Sequence, residues 1–530
     1  MSSTSQSPAT GAKIIAETLR DLGVSVIFGL VGVPVSDVAE QAINIGIRFI
    51  GFRNEQAASY AATAYGYLSR RPGVCLVVGG PGVLHAIAGV GNASENNFPL
   101  LLLGGSVETH QVTKGAFQEL DSIALLKPHT EIAETPTVAS LPRSGTDEAR
   151  LARVAFLIKN AKAPLVLIGK GAAYARAENS IRAFIEQTSI PFLPSPMGKG
   201  VNTDSHSANA SSARSAALKM ADVVIILGAR LNWIFHYGEA PKWSSSAKFV
   251  QVDISAEEMG RNAADAEYSL LGDVDLVTQQ LSKCLGNWRY DSASSQYVHN
   301  LEIAQRKNER VSLVAAKDNS MPLTYGRVFD VIKSALHSLS PPSEGGICYI
   351  AKGANTTDIS RSIFPLQHPR LRLDAGTCAT MGASSGPAKR KKIVAIEGDS
   401  AFGFSGMEVE TMARIGMDIL NFVVNNGGIY FGDSNTAEDW VAKHEKTKRN
   451  ESGLRSWALG WEVKYQKMAE ACGGLDFLVR TPEELKKATI AGFNATVPVI
   501  VNVLIQSGKA EKASFGWQVA PKKRSKKANL

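Results

Sequence analysis

Short apolar runs that end in glycine-bearing turns recur along this chain, and they limit its fold more than any other feature. Val26-Ile27-Phe28 runs into Gly29, and Val74 to Val78 runs into Gly79-Gly80-Pro81-Gly82. Leu165 to Ile168 runs into Gly169-Lys170-Gly171, and Val223 to Leu227 into Gly228-Ala229-Arg230. Helix-like stretches stand between them: an amphipathic one around Ile14, Ile15 and Leu19, a small-residue one over Gln56 to Tyr67, and another over Ala177 to Gln187. A run without polar alternation suits a strand buried on both faces, and strand–turn–helix repetition builds a parallel sheet covered by helices. A chain of 530 residues has room for about three such domains. The pattern divides into residues 11–134, a Thr/Pro/Ser/Gly-rich linker at 135–150, a second block at 151–287, a polar connector at 288–322, a third block at 323–505 and a Lys-rich tail at 506–530.

The net charge of +8 is concentrated in two places. Lys522, Lys523, Arg524, Lys526 and Lys527 sit in the tail, and Lys389, Arg390, Lys391 and Lys392 form a basic stretch within the third block. The folded body is left near neutral, without the basic face that nucleic acid requires, so no nucleic-acid partner is expected. No apolar run approaches membrane-spanning length and Met1 to Ser5 shows no cationic, apolar leader, so no membrane partner is expected either. The five cysteines are scattered, with no Cys-x-x-Cys spacing, which suits inert thiols in a reducing compartment.

The chemistry concentrates in the third block. Ile393 to Ile396 leads to Gly398-Asp399-Ser400-Ala401, and Ile419 to Val424 leads to Asn425-Asn426-Gly427-Gly428. Each reads as a buried strand delivering a polar loop at its carboxyl end. The Asp399 carboxylate, the Asn426 carboxamide and a backbone carbonyl at Gly428 are hard oxygen donors suited to Mg²⁺, with diphosphate oxygens completing an octahedron. Gly398, Ser400 and Ala401 are small enough for backbone to approach that diphosphate. A Gly-Asp-Ser turn alone is common; behind a strand and paired with Asn-Asn behind another, it carries weight.

The same segments resemble thiamine diphosphate enzymes. Arg53-Asn54-Glu55-Gln56-Ala57-Ala58 is similar to their activating-glutamate segment. Gly353-Ala354-Asn355-Thr356, Leu373-Asp374-Ala375-Gly376-Thr377 and Ala379-Thr380-Met381-Gly382 are similar to the branch that contains oxalyl-CoA decarboxylase and 2-hydroxyacyl-CoA lyase, as are Ile168-Gly169-Lys170-Gly171 and Gly228-Ala229-Arg230-Leu231-Asn232. Within that branch Gly115-Ala116-Phe117-Gln118-Glu119 resembles the lyases; the decarboxylases carry Tyr-Glu where Phe117-Gln118 stand.

The resemblance implies an α/β chain of three consecutive parallel-sheet domains, the thiamine diphosphate-binding fold, and a cofactor pair of thiamine diphosphate and Mg²⁺. It implies cleavage of a 2-hydroxyacyl-CoA to formyl-CoA and a shortened aldehyde, with oxalyl-CoA decarboxylation as the alternative. Glu55 becomes the catalytic group that bonds the cofactor's pyrimidine ring, although a glutamate at a helix start also serves as a cap. Ala354, Asn355, Thr356, Ala379, Thr380, Met381, Gly398, Ser400, Ala401 and Tyr430 become cofactor contacts, with Met381 wedged between the two rings. Lys170, Arg230, Asp253 and Arg361 become candidates for holding coenzyme A, with structural salt bridges as the competing reading. A homodimer or homotetramer is implied, because the family's site lies between subunits. The end Ala528-Asn529-Leu530 is similar to the Ser-Lys-Leu address, which implies a peroxisome and its import receptor.

Two departures qualify this. Ile132-Ala133-Glu134 runs into the linker where the family has a further helix and strand, a gap of roughly forty residues, the size of a β/α unit. The first domain is therefore expected to be incomplete, with an exposed sheet edge. After Met381-Gly382, Ala383 to Lys392 is several residues shorter than the expected Gly-rich helix, Lys352 replaces a usual Glu, and Cys378 a usual Trp or Asn. A paralogue that binds cofactor or subunits without turnover is the second alternative.

Overall fold

The computed structural model describes residues 10–130, 142–374, 391–430 and 432–508. The apolar runs form strands of three parallel sheets, as expected. The first sheet contains β1 (Val26–Leu30), β2 (Arg48–Gly51), β3 (Gly73–Val77) and β4 (Leu100–Gly104) in the order β2-β1-β3-β4. The helices α1 (Gly11–Asp21), α2 (Ser36–Asn44), α3 (Glu55–Ser69) and α4 (Pro81–Asn96) connect or precede them. The second sheet contains β5 (Pro164–Ile168), β6 (Phe192–Pro194), β7 (Val223–Leu227), β8 (Lys248–Asp253) and β9 (Ser269–Leu271), in the order β6-β5-β7-β8-β9. The third contains β10 (Ile347–Lys352), β11 (Arg372–Leu373), β12 (Lys392–Gly398), β13 (Leu420–Asn425), β14 (Leu475–Val479) and β15 (Val499–Leu504), in the order β11-β10-β12-β13-β15-β14.

The first and second sheets reverse their winding once, beside β1 and β5, and the third reverses beside β10 and again at β14 and β15. In such sheets ligands bind outside the carboxyl ends of the strands at such a reversal. Gly353 to Thr356 follows β10 and Gly398 to Ala401 follows its neighbour β12, so the two segments read as diphosphate loops both leave the third sheet at its reversal beside β10. The reason is burial: β3, β5, β7 and β13 are covered along their whole length, and only their loops present polar groups.

The chain divides into two compact units, one holding the first and third sheets, the other the second. Within the first unit, β4 is an edge and its four leucines are only half-buried. Among the described residues no strand pairs with the outer side of β4; residues 131–141, where the first domain is expected to run short, lie outside the described residues. Within the polar connector at 288–322, Gln296–Ala316 is a helix. Only Tyr297 and Leu301 of that helix are buried, so its sequence lacks the apolar stripe that announces a helix. Among the described residues no helix is long and apolar enough to cross a membrane. Cys75, Cys284, Cys348 and Cys472 are free thiols; Cys378 and the segment 375–390 lie outside the described residues.

Candidate active site

Asp399 opens the helix Asp399–Gly403 at the end of β12 and is 2% exposed. Its carboxylate accepts from the amides of Ser400 at 2.7 Å and Gly428 at 3.0 Å. The Gly428 amide also donates to the Asn426 side-chain oxygen at 3.3 Å. One amide therefore draws together the carboxylate and carboxamide that sequence assigns to a cation, and Gly428 itself is the third assigned residue. A side chain at position 428 would place its Cβ 2.5 Å from the Trp457 carbonyl, so the loop closes only with glycine there. Burial pushes the Asp399 carboxyl up to about 6, against the pull of surrounding backbone amides; among the described residues no cationic side chain contributes. A buried acid held by amides alone, beside a carboxamide oxygen, fits a hard divalent cation.

The neighbouring loop joins this cluster. Asn355 and Asn426 both donate to the Tyr430 carbonyl at 2.7 Å. Tyr430 has a φ of 65°, a left-handed turn that brings its carbonyl back over the two amides. Gly353 has a φ of 106°, and a Cβ there would lie 3.3 Å from the Gly398 amide, 3.5 Å from Thr356 Oγ1 and 3.6 Å from Ala401 Cβ. Gly353, Thr356, Gly398 and Ala401 thus line one small-residue cradle, with Ser400 at the amide end of its helix. Ala354 begins the helix Ala354–Ile363 beside them. Ala379, Thr380 and Met381 lie outside the described residues.

Glu55 is the first residue of α3 and only 8% exposed. Asn54 caps that helix, accepting from the Gln56 amide at 2.8 Å. The Glu55 carboxylate meets His85 Nδ1 of α4 at 2.9 Å. Beneath it, the Cys75 thiol is pushed well above its usual range, first by burial and then by the Glu55 charge. The start of α3 is also held from the third domain: Glu408 accepts from the Arg53 amide at 3.1 Å and from Thr411 Oγ1 at 2.8 Å.

The loop that carries Phe117 and Gln118 is tied by Glu119, whose carboxylate accepts from the amides of Thr113, Gly115 and Ala116. These amides, that of Thr113 foremost, hold the Glu119 carboxyl below its ordinary value. Phe117 is 80% exposed, and the Gln118 carbonyl lies against Gly79 and Gly80 at the start of α4.

In the second unit, Lys170, Arg230 and Asp253 follow or close β5, β7 and β8, so all three stand at the carboxyl ends of one sheet. The Gly171 amide reaches the Gly228 carbonyl at 2.9 Å, closing the two loops on each other. Arg230 contacts Glu258 at 3.4 Å, and Asp253 is raised chiefly by burial. Arg361 belongs to the other unit and is held between Asp358 at 2.7 Å and Asp374 at 3.0 Å, a structural network rather than an open cation.

Sequence reasoning missed three residues around these loops: His85, Glu408 and Tyr325. The Tyr325 hydroxyl lies 3.3 Å from the Asn426 amide nitrogen, and its phenol is pushed up by burial and then by the Asp399 charge. None stands in a distinctive motif; a polar residue one turn inside a Gly-Pro-Gly helix start was the only signal available for His85.

Residues 9–125 match the family Thiamine pyrophosphate enzyme, N-terminal TPP binding domain; residues 151–281 match its central domain, and residues 353–503 its C-terminal TPP binding domain. The chain is 39% identical to 2-hydroxyacyl-CoA lyase 1 of Homo sapiens, with 97% of each chain covered. It is 34% identical to 2-hydroxyacyl-CoA lyase of Saccharomyces cerevisiae, covering 97% of this chain and 99% of that one. It is 32% identical to oxalyl-CoA decarboxylase of Escherichia coli K12, covering 97% and 98%. The first alignment runs over 577 positions, more than the 530 residues present, so the human protein carries positions with no counterpart here.

Proposed function

The chain belongs to the thiamine pyrophosphate enzymes, and from that premise we propose that it is a lyase splitting a 2-hydroxyacyl-CoA into formyl-CoA and an aldehyde one carbon shorter. The observation that carries the cofactor part of this reading is the Gly428 amide shared by Asp399 and Asn426. The preference for the lyase over the decarboxylase rests on the higher identity to proteins named 2-hydroxyacyl-CoA lyase and on Phe117-Gln118 in the loop beside α4.

Thiamine diphosphate, when bound, supplies a carbon nucleophile and a sink for the electron pair of the broken bond. The protein's part is placement. Asp399, Asn426 and the Gly428 carbonyl would hold Mg²⁺ beside the diphosphate. The cradle of Gly353, Asn355, Thr356, Gly398, Ser400 and Ala401 receives the diphosphate oxygens at two helix starts. Glu55 places its carboxyl to bond the pyrimidine ring. Lys170, Arg230 and Asp253 receive the nucleotide end of coenzyme A; Arg361, already paired twice, is the weakest of the four original candidates. The reading includes a homodimer or homotetramer, and a peroxisomal location addressed by Ala528-Asn529-Leu530.

The test is incubation of the purified protein with thiamine diphosphate, Mg²⁺ and either 2-hydroxyacyl-CoA or oxalyl-CoA, with formyl-CoA and aldehyde measured. Aldehyde release from the first substrate supports the lyase. Formyl-CoA from oxalyl-CoA alone transfers the reading to the decarboxylase. Cofactor-dependent thermal stabilisation without either product favours a binding protein without turnover, for which the open β4 border is the motive.

A further inference from the structure

The contact between α3 and α4 contains a histidine whose place is set by close helix packing. Gly89 of α4 lies so near α3 that a Cβ there would fall 2.2 Å from Ser59 Oγ, and Thr63 Oγ1 donates to the Gly89 carbonyl at 3.2 Å. Gly82 stands on the same face of α4, and a Cβ there would lie 3.5 Å from Glu55 Oε1. His85 falls between these two glycines at helical spacing, so it faces the same neighbour. Glu55 and Ser59 are likewise one turn apart on α3. The two helices are therefore locked in register at Gly89–Ser59, and that register sets Glu55 against His85 at 2.9 Å.

We propose that His85 is a positioning residue for Glu55: its Nδ1–H holds Oε2, which turns Oε1 over Gly82 to meet the pyrimidine ring of bound thiamine diphosphate. This deepens the reading above and rests on its cofactor assignment, not on its substrate. A carboxylate with two free oxygens rotates about its last bond; one oxygen held by a ring N–H does not. The other groups near Glu55 do not serve this purpose. The Cys75 thiol is kept neutral by burial, and Glu408 is engaged by the Arg53 amide and Thr411.

The experiment uses the full-length protein with thiamine diphosphate and Mg²⁺ and no acyl-CoA. The rate at which the cofactor's thiazolium C2 hydrogen exchanges with deuterium is read by NMR after acid quench, alongside cofactor affinity by calorimetry. His85→Leu is expected to slow exchange by tenfold or more while affinity stays within a few-fold. His85→Asn, which keeps an N–H donor near the place of Nδ1, is expected to recover most of the rate. Wild-type exchange in the Leu variant overturns the proposal, and so does an Asn variant as slow as Leu. If Leu misfolds, the Asn variant against wild type decides by the same criterion: exchange within threefold supports the role, and a tenfold loss removes it. Normal exchange in a protein that leaves 2-hydroxyacyl-CoA intact counts against the substrate assignment alone.

Discussion

The backbone amide of Arg53 donates to the Glu408 carboxylate at 3.1 Å, so a residue of the third domain fixes the start of the helix that carries Glu55. Glu408 is buried, and its burial raises its carboxyl above the ordinary value despite the Thr411 hydroxyl and the amides it accepts. Replacing it with Ala leaves the Arg53 amide and the Thr411 hydroxyl without this acceptor. We expect Glu408→Ala to lower unfolding stability by about 1–3 kcal/mol, and Glu408→Gln, which keeps one acceptor, by less than half of that. Denaturant titration checks this; equal losses in both variants would contradict the acceptor role.

Glu55→Gln keeps the shape of the side chain but not its proton exchange. Turnover is expected to fall by about 10²–10⁴-fold. Cofactor affinity is expected to change by less than about tenfold, or 1.4 kcal/mol. Steady-state rates and calorimetry measure the two separately, and a variant that loses affinity at unchanged turnover would assign Glu55 to binding instead.

Asn426→Ala removes one of the two side chains gathered by the Gly428 amide, while Asn355 still engages the Tyr430 carbonyl. The melting temperature without ligand is expected to stay within a few degrees, and the added stability from thiamine diphosphate with Mg²⁺ to disappear. Gly428→Ala, by contrast, drives a methyl to 2.5 Å from the Trp457 carbonyl and is expected to cost about 1–3 kcal/mol with no ligand present. Differential scanning fluorimetry of both variants, with and without ligand, tests the contrast.

Glu119 gives a pH dependence of known sign. Its carboxyl is held below the ordinary 4.5 by the amides of Thr113, Ala116 and Gly115. A lowered acid contributes order above its unfolded value and loses it as pH falls through the folded value. The amides of residues 113–116 are therefore expected to gain exchange with solvent below about pH 4.5, once the intrinsic pH effect is corrected. Glu119→Gln should show the faster exchange already at neutral pH. Hydrogen exchange with mass spectrometry reads both, and a pH-independent loop would refute the carboxylate's hold.

Much of the site could be read from the chain because strand burial and polar loops are opposite demands on neighbouring residues. Ile393 to Ile396 is uniformly apolar, and the Gly398-Asp399 turn that follows closes the strand, although the buried Glu397 interrupts the apolar run inside it. Asn425 ends β13 and Asn426 opens the loop beyond it, although Asn421 is also polar inside that strand. His85, Glu408 and Tyr325 gave no such mark. Each stands in a helix where a polar residue is ordinary, and each gains its role from a partner far away in sequence, as Glu408 does from Arg53. The helix Gln296–Ala316 was equally hard to read, because it buries too little surface to need an apolar face. Ala379, Thr380 and Met381 were named from resemblance and remain outside the described residues.

The border strand β4 carries four leucines in a row, with Leu101 and Leu103 packed on the core and all four only partly covered. Among the described residues no strand pairs with the outer side of β4, and an apolar edge of this kind invites pairing with a second copy. Self-association on storage is therefore expected to start at one short ribbon, at the opposite side of the smallest sheet from β2.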